Sequence, residues 1–448
     1  MTLATLLADA AERSPGAPAI AFEGERLDYA ALAELADRAA GGLEAQGVAA
    51  GDHVAIVLPN GPAFIAAFHG ALRLGAVAVP INPLSSEREV EQRVVDSGAR
   101  VVVREPLGGT PLGRIAEVAG DATAVLLHTS GTTGAPKRIE LSHDGLELNA
   151  TYLAHDALAL RADEVVLGAA PFSHVFGMTA CMNATIAAGA CLAVVGRFEP
   201  GAALELFERD GVTVFLGVPA MCVALLRASE ETGLAPQLRV AHVGGAPLAV
   251  ETAAAFANRF GAKVLEGYGM TEVGGTAVTN HAGRRVKPGS VGTPAAGMEL
   301  LIDGDGPVGE LLLRGPTLMR GHEGWFATGD IARIDEDGYV YLVDRAKDVI
   351  LRGGYTVYPR EIEEVLYEHP HVREAVVVGV PDERVGEEVV AVVVPTGPAC
   401  DPADVQSFVR ERVAAYKYPR RVILADDLPR SPNGKILRRE IDVEALQR

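Results

Sequence analysis

Cysteine is scarce in this chain of 448 residues, and its spacing excludes two kinds of framework. The four cysteines have no C-x-x-C spacing and no histidine cluster beside them, so neither a zinc site nor a set of disulfides is expected. Unpaired thiols of this kind fit a reducing, cytoplasmic setting. The four are Cys181, Cys191, Cys222 and Cys400.

Targeting and membrane segments are also lacking. The amino terminus has no basic residue before Asp9, so no signal peptide is expected. Residues 175–196 form a stretch of 22 residues without a charge, which is long enough for a membrane span. That stretch contains Asn183 and a glycine break at Gly189, and we interpret it as a buried helix followed by a buried strand.

Positive charge is in deficit. The chain has 59 acidic and 40 basic residues, a formal net charge of −19, which disfavours nucleic acid as a partner but allows a single bound nucleotide. Only six of the basic residues are lysines, and Lys137, Lys347 and Lys435 lie in motifs. A lysine kept in an arginine-rich chain is a candidate for a role that needs a compact ammonium group.

The hydrophobic pattern predicts an α/β protein. Helical and short apolar segments alternate from residue 29 to residue 265, which is typical of βαβ units around mainly parallel sheets. After residue 285, short alternating runs (299–302, 309–314 and 339–342) predict an antiparallel, barrel-like part. A final α+β block contains predicted helices at 360–368 and 402–414 and strands at 374–380 and 388–394. We therefore predict two domains, 1–344 and 345–448.

The sharpest motif is the loop 129–137, Thr-Ser-Gly-Thr-Thr-Gly-Ala-Pro-Lys, directly after an apolar run. Its hydroxyl groups and backbone N–H groups suit the binding of phosphate oxygens, and Lys137 adds a positive charge. It is not a Walker A loop, because the second glycine and the Ser/Thr after the lysine are missing. The alternative is a polar surface turn.

Three other motifs are weaker individually. The run 266–272, Glu-Gly-Tyr-Gly-Met-Thr-Glu, offers two glycines beside a ring and a carboxylate suited to Mg²⁺, although a plain turn after a strand is the alternative. Asp330 could accept from ribose hydroxyls, and Arg345 could reach a phosphate or form only a surface ion pair. Lys435 lies in a polar loop near the carboxyl terminus, where a lysine is usually just solvated.

In this order and spacing, the motifs resemble the adenylate-forming superfamily of acyl-CoA synthetases, carrier-protein adenylation domains and beetle luciferases. The resemblance runs from Gly51-Asp52 to Lys435. It implies a large N-terminal domain of α/β sheets plus a small β-barrel, with a mobile α+β C-terminal lid. It also implies a two-step reaction, in which a carboxylate attacks the α-phosphate of Mg·ATP and a thiol, that of CoA, then displaces AMP.

The resemblance also assigns roles by position. Lys435 would bridge the carboxylate and the α-phosphate, Lys347 would be the hinge of the lid, and Glu272 would bind Mg²⁺. ATP would be held by the phosphate loop (Thr129, Ser130, Gly131, Thr132, Thr133, Gly134, Lys137), the adenine site (Gly244, Gly245, Ala246, Tyr268), and by Glu266, Gly267, Gly269, Thr271, Asp330 and Arg345. The CoA channel would be lined by Arg352, Gly353, Gly354 and Tyr355. The acid would lie against His174, Phe176, Gly177, Met178, Met182, Gly217, Val218, Met221 and Met270.

The composition of this last set predicts the kind of acid. Residues 171–190 contain no Asp or Glu, which disfavours a substrate with an α-ammonium group. Gly267 stands where malonate-activating relatives carry an arginine, so a second substrate carboxylate would lack a partner. A neutral-tailed monocarboxylic acid, medium-chain aliphatic or aryl, remains. His174 is expected at the junction of acid and adenylate, or as an ordinary core histidine.

One departure from the family leaves alternatives open. Relatives usually carry glycine after the loop lysine, and here Arg138 either adds phosphate affinity or obstructs the loop. It motivates a non-catalytic nucleotide-binding homologue as one alternative. An enzyme that loads an acyl carrier protein is another, although the chain has no room for the insertion that marks fatty-acid AMP ligases.

Overall fold

The computed structural model describes residues 2–129, 137–196, 198–295, 297–304, 306–345, 348–352, 355–382, 384–430 and 436–447. The helices of this part of the chain are α1 Leu6–Arg13, α2 Tyr29–Ala45, α3 Pro62–Arg73, α4 Glu87–Ser97, α5 His143–Tyr152, α6 Ala184–Ala188, α7 Pro200–Asp210, α8 Pro219–Thr232, α9 Val250–Phe260, α10 Pro359–Tyr367 and α11 Pro402–Arg410. Two π-helical turns, Leu153–Ala157 and Gly177–Asn183, and short 3-10 turns, Thr271–Val273, Arg438–Glu440 and Ala445–Gln447, complete the helical segments described.

The strands fall into four sheets. In chain order they are β1 Pro18–Phe22, β2 Glu25–Asp28, β3 His53–Ile56, β4 Val77–Pro80, β5 Val101–Val103, β6 Thr123–Thr129, β7 Lys137–Ser142, β8 Val165–Gly168, β9 Cys191–Val194, β10 Val214–Gly217, β11 Val240–Val243, β12 Lys263–Met270, β13 Gly275–Thr279, β14 Thr293–Pro294, β15 Glu299–Asp303, β16 Gly309–Arg314, β17 Phe326–Ile334, β18 Val340–Arg345, β19 Ile350–Arg352, β20 Tyr355–Val357, β21 Val372–Asp382, β22 Gly386–Pro395 and β23 Arg421–Leu424.

Two of the sheets are mainly parallel, as the alternation of helices and strands predicts. One has the order β5-β3-β4-β6-β7 and the other the order β14-β13-β12-β11-β10-β8-β9-β1-β2. Strands β3, β4, β8, β9, β10 and β11 are short apolar runs, buried over nearly their whole length, because helices cover a parallel sheet on both faces. The 175–196 stretch is a buried helical segment followed by β9, which confirms that interpretation. No helix in the described part of the chain has both the length and the apolar character that a membrane span needs.

The last two sheets follow in the carboxyl-terminal part. Strands β15 to β18 pair antiparallel in that order, which confirms the antiparallel pattern, and an antiparallel bridge between Gly292 and Val340 joins β18 to the segment just before β14. The other sheet has the order β20-β19-β22-β21, with β23 parallel to β22. Helices α10 and α11 pack on it through an apolar cluster that contains Ile362 and Val405.

Two boundaries differ from the prediction. Helix α11 ends at Arg410 rather than at residue 414. Strand β12 continues to Met270, so most of the 266–272 run lies in a strand and not in a plain turn. Its first half pairs parallel with β11 and its second half pairs antiparallel with β13. The strand gains new backbone partners beyond Glu266, which is why it does not stop at the glycines.

Candidate active site

The carboxyl ends of three neighbouring parallel strands meet at glycines. Gly217 ends β10, Gly244 follows β11, and Gly267 lies in β12 where its parallel pairing stops. The Gly244 N–H donates to the Gly217 carbonyl at 3.1 Å, and a Cβ on Gly244 would lie 3.0 Å from the Gly267 carbonyl oxygen. Gly245 has φ +80°, which favours glycine. The backbones therefore approach closely at the sheet edge where open α/β sheets bind ligands.

His242, which sequence reasoning missed, lies at the centre of this edge. It is 1% exposed, its Nε2 lies 3.0 Å from the Thr279 hydroxyl, and its ring stacks on Phe176 with centroids 5.9 Å apart and planes 14° from parallel. A Cβ on Gly267 would lie only 2.5 Å from its Nε2. Burial lowers the pKa of His242 to about 4, so the ring is neutral near pH 7.

The run 266–272 and Asp330 are in contact in this structure. The Tyr268 hydroxyl donates to Asp330 Oδ2 at 2.6 Å, which joins β12 to β17 across 62 residues of sequence. The Asp330 N–H donates to the Thr328 hydroxyl at 3.0 Å. In the backbone register of the β17–β18 ladder, Asp330 lies opposite Arg345. Asp330 is 6% exposed, so its carboxylate is held in place at the edge of the glycine site.

Two acidic residues differ sharply in environment. Burial raises the pKa of Glu266 to about 7, and the charges of Arg360 and Glu364 on α10 act on it in opposite directions. Glu266 is therefore close to the carboxyl-terminal part of the chain. Glu272 lies half-buried in the turn after β12, where its carbonyl accepts from the Met319 N–H at 2.7 Å.

The phosphate loop itself, 130–136, lies outside the described residues, but its two ends are paired. Thr129 and Lys137 face each other across the β6–β7 ladder, and Arg138 faces His128. Because neighbouring side chains on a strand point to opposite faces, Arg138 points away from the face of Lys137. Its guanidinium donates to the Asp96 carbonyl in the last turn of α4 at 3.3 Å. Neither predicted effect of Arg138 describes this placement, since the side chain caps a helix instead.

The predicted acid-pocket residues are brought together only in part. Phe176, Gly217 and the neighbouring Val218 surround the glycine edge: Phe176 Cε2 would lie 3.5 Å from a Cβ on Gly244, and Val218 Cγ1 would lie 3.7 Å from one on Gly245. The four methionines lie in three different apolar clusters, and two of them have no exposed surface. Met178 and Met182 belong to the largest cluster, Met221 lies in the first turn of α8 and packs against a second cluster, and Met270 packs near β15 and β16.

Two further residues of that set shape the turn before the π-helix. The Phe176 N–H donates to His174 Nδ1 at 3.2 Å, so the half-buried imidazole of His174 is held by the backbone that positions the Phe176 ring. A Cβ on Gly177 would lie 2.1 Å from the Pro171 carbonyl oxygen, which requires glycine there.

The predicted CoA-channel residues are described in part. Arg352 is 9% exposed, and its guanidinium donates to the Glu388 carboxylate at 3.0 Å, so it is paired in this structure. Tyr355 is 57% exposed and stacks on Tyr416 with centroids 4.5 Å apart. Gly353 and Gly354, like the predicted hinge Lys347 and the predicted catalytic Lys435, lie outside the described residues.

A metal ion at this site would need donor atoms from a bound substrate as well as from the protein. Within the described residues no group of three or more His, Cys, Asp or Glu side chains could hold a metal ion. Mg²⁺ usually takes one or two carboxylates and completes its shell with water and substrate phosphates. Glu272 alone therefore fits Mg²⁺ bound with a nucleotide.

Two cavities lie in the described part of the chain. A cavity of about 380 Å³ lies near Gly51, His143 and Arg320, and one of about 550 Å³ lies beside Asp348 and Arg438. Neither is lined by a predicted nucleotide residue. The site is identified by its motifs and contacts.

Comparison with known proteins agrees with these contacts. The model of the AMP-binding enzyme family matches residues 7–112 and 111–322, and that of the AMP-binding enzyme C-terminal domain matches residues 361–435. A feruloyl-CoA synthase from an Amycolatopsis species is 35% identical over 96% of both chains. A long-chain-fatty-acid–CoA ligase from Bacillus subtilis is 31% identical over 98% of this chain and 94% of its own. Both relatives are CoA ligases by name.

A solved structure has the same fold. ATP-bound MatB from Rhodopseudomonas palustris is 30% identical over 98% of both chains, with a TM-score of 0.88, whereas apo MatB, with the same coverage, gives 0.79. The arrangement of the chain is thus closer to the ATP-bound form. The resemblance predicted from the motifs is confirmed over almost the whole sequence. The chain belongs to the AMP-binding enzyme family.

Proposed function

We propose that the chain is an AMP-forming acyl-CoA synthetase. The acid's carboxylate oxygen bonds to the α-phosphorus of ATP and pyrophosphate leaves; the CoA sulfur then bonds to the acyl carbon, its proton is released, and AMP leaves with the bonding electrons. The observation that carries the proposal is the Tyr268–Asp330 hydrogen bond beside the three glycine strand ends, in a chain whose relatives are CoA ligases.

Each described site residue has a role in this proposal. The glycine edge and the Tyr268 ring hold the adenine, and Asp330 accepts from the ribose hydroxyls. Thr271 contacts the α-phosphate, and Lys137 contacts the terminal phosphates. Glu272 would hold Mg²⁺, which when bound offsets the negative charge of the phosphates.

For the acid, we propose a neutral-tailed monocarboxylic acid. The half-buried Phe176 ring offers an apolar wall, and the neutral His242 ring stacked behind it adds no charge. At Gly267, His242 occupies the space that a side chain would need, so the wall offers no cation to a second carboxylate. Between medium-chain aliphatic and aryl acids, two stacked planar rings favour an aryl acid.

The lid supplies the charge for the first step. Attack of one anion on another is opposed electrostatically, and we propose that Lys435 lies between them in the transition state. Lys435→Ala should lower the rate of adenylate formation by about 10²–10³-fold while sparing thioester formation from supplied acyl-adenylate. Equal loss of both half-reactions would contradict the two-conformation account.

That account needs two parts that rotate. We propose that residues 1–344 and 345–448 are the two domains and that Lys347 is the hinge. All strands of the β19–β23 sheet follow residue 345, and the match to the C-terminal family model begins at residue 361.

The decisive experiment is pyrophosphate release from ATP over a panel of aryl and aliphatic acids, with and without CoA. Acid-dependent pyrophosphate release, and a thioester product only when CoA is present, are the expected results. The holo form of an acyl carrier protein, offered in place of CoA, is the comparison acceptor. If ATP binds and no acid in the panel releases pyrophosphate, the chain is a nucleotide-binding homologue and not a synthetase.

A further inference from the structure

Arg438 lies at the centre of an ion-pair cluster near the carboxyl terminus. Its Nη2 is 2.7 Å from Glu363 Oε1, and its Nη1 is 3.5 Å from Asp344 Oδ1 and 3.9 Å from Asp348 Oδ2. The four side chains are mostly shielded from solvent: their exposed fractions are 21% for Arg438, 12% for Glu363, 4% for Asp344 and 17% for Asp348. Dissolved ions weaken ion pairs that are this well protected from solvent much less than they weaken surface pairs.

The three carboxylates come from different parts of the chain. Asp344 lies near the end of β18, before the proposed hinge residue Lys347, and Asp348 follows the hinge. Glu363 lies on α10 and also accepts from the Val377 N–H at 2.7 Å. Of these three contacts of Arg438, the one with Asp344 crosses the proposed domain boundary. Asp344 Oδ2 also accepts from the Arg360 N–H of α10 at 2.9 Å, which is a second contact across the same boundary.

The charge balance makes this guanidinium hard to replace. Burial raises the pKa of Glu363, and the Arg438 charge opposes that rise. Removal of one partner from a shielded ion-pair cluster leaves uncompensated charge, which is strongly unfavourable. Without Arg438, Asp344 and Glu363 would lose the cation between them, and the segment that carries Arg438 would lose its contact with β18.

That segment also carries Lys435. The residues on either side of 431–435 are paired, since Arg430 and Ile436 form an antiparallel bridge and the Leu437 N–H donates to the Pro429 carbonyl at 2.8 Å. Arg438 follows the bridge by two residues. A contact that fixes Arg438 therefore also fixes the residues just after the Lys435 segment (431–435), which we call its base.

We propose that Arg438 is a positioning residue: through Asp344 it holds the base of the Lys435 segment against the larger domain during adenylation, and it leaves Asp344 when the lid turns for thioester formation. This rests on the proposed function. The overall arrangement, closer to the ATP-bound than to the apo relative, fits the first of these two states.

The test separates the two half-reactions in the full-length protein. Arg438→Ala and Asp344→Asn should each lower acid-dependent pyrophosphate release by about 10- to 100-fold, because a misplacement of about 1 Å costs on that order. Thioester formation from supplied acyl-adenylate and CoA should change by less than about threefold. Arg439→Ala is the matched control, since Arg439 is the neighbouring residue of the same type and is exposed; it should behave like wild type in both steps. Arg438→Lys keeps the charge without the planar fork and should recover part of the loss.

The ratio of the two rates decides the outcome. Equal losses in both half-reactions of Arg438→Ala, or loss in Arg439→Ala as large as in Arg438→Ala, would overturn the positioning role. Should Arg438→Ala fail to fold, Asp344→Asn and Arg438→Lys decide by the same ratio: a wild-type ratio in both overturns the proposal. A wild-type protein that releases no pyrophosphate with any acid instead refutes the proposed function.

Discussion

Substitution of Gly267 by alanine would fill the space that His242 occupies beside the acid wall. The new Cβ would lie 2.5 Å from His242 Nε2, 2.9 Å from its Cε1 and 3.4 Å from the Thr279 hydroxyl oxygen. The imidazole is fully buried and stacked on Phe176, so it must shift the Phe176 ring or leave Thr279. Either movement deforms the wall that we propose for the acid.

The size of the effect follows from two costs. Forcing an extra methyl into a packed site typically costs 1–3 kcal/mol, and loss of the His242–Thr279 hydrogen bond costs about 1 kcal/mol more. These two costs together should lower the free energy of unfolding by about 2–4 kcal/mol. The kcat/KM for the acid should fall roughly 100-fold, because the His242 ring must move by about 1 Å to reach van der Waals distance from the new Cβ. The apparent KM for ATP should rise less than the KM for the acid, because Gly267 lies at the glycine edge that we propose for the adenine but Tyr268 and Asp330 keep their contact. Steady-state pyrophosphate release, with each substrate varied in turn, measures both.

Two further variants make the reasoning refutable. Gly283→Ala is the matched control: Gly283 is exposed and a Cβ there would meet nothing within 4 Å, so activity should stay at the wild-type level. In the double variant Gly267→Ala/His242→Ala the clash is gone, and activity should rise above that of Gly267→Ala alone. Wild-type kcat/KM in Gly267→Ala, or no recovery in the double variant, would refute the claim that His242 forms the wall.

Three other predictions concern single contacts. Tyr268→Phe removes the hydroxyl that donates to Asp330, and a hydrogen bond to a charged group is worth about 1.5–3 kcal/mol, so the free energy of unfolding in urea should fall by up to about that amount. The KM for ATP should rise in steady-state assays, because the Asp330 carboxylate is then less firmly positioned for the ribose hydroxyls. Burial lowers the pKa of His69 to about 3, so below about pH 6.5 the unfolded chain binds a proton that the native state does not bind, and the protein loses stability as the pH is lowered. In urea unfolding, His69→Gln should reduce the stability lost between pH 7 and pH 5 by about 2 kcal/mol. Arg138→Gly should leave the KM for ATP within about threefold of wild type, because Arg138 contacts the Asp96 carbonyl on the opposite face from Lys137; a larger change would place Arg138 in the nucleotide site.

The sequence predicted the alternation of strands and helices well because buried parallel strands leave a strong local pattern. Val54 to Ile56 and Val214 to Leu216 are apolar without interruption. The Tyr268–Asp330 contact was predictable only through the resemblance, since nothing in either segment indicates a partner 62 residues away. Arg138 shows the opposite case. Its departure from the family pattern was visible, but its outward direction depends on the β6–β7 register, which is a property of pairing rather than of composition.

His242 was missed for a related reason. Within strand β11, Val240–Val243, it is one polar residue among apolar ones, and a single histidine in such a strand carries no local sign of function. The role of His242 depends on three residues that are far apart in sequence. Its ring stacks on Phe176, contacts the hydroxyl of Thr279 and fills the space left by the absent side chain of Gly267. The signal that could have found it is positional, because a histidine two residues before Gly244 lies at the carboxyl end of a parallel strand, where α/β sheets bind ligands. In this fold, a glycine at 267 and a neutral histidine at 242 therefore act as one unit: the glycine makes room for the buried ring, and the ring supports Phe176 without placing a charge where a side chain at 267 would otherwise stand.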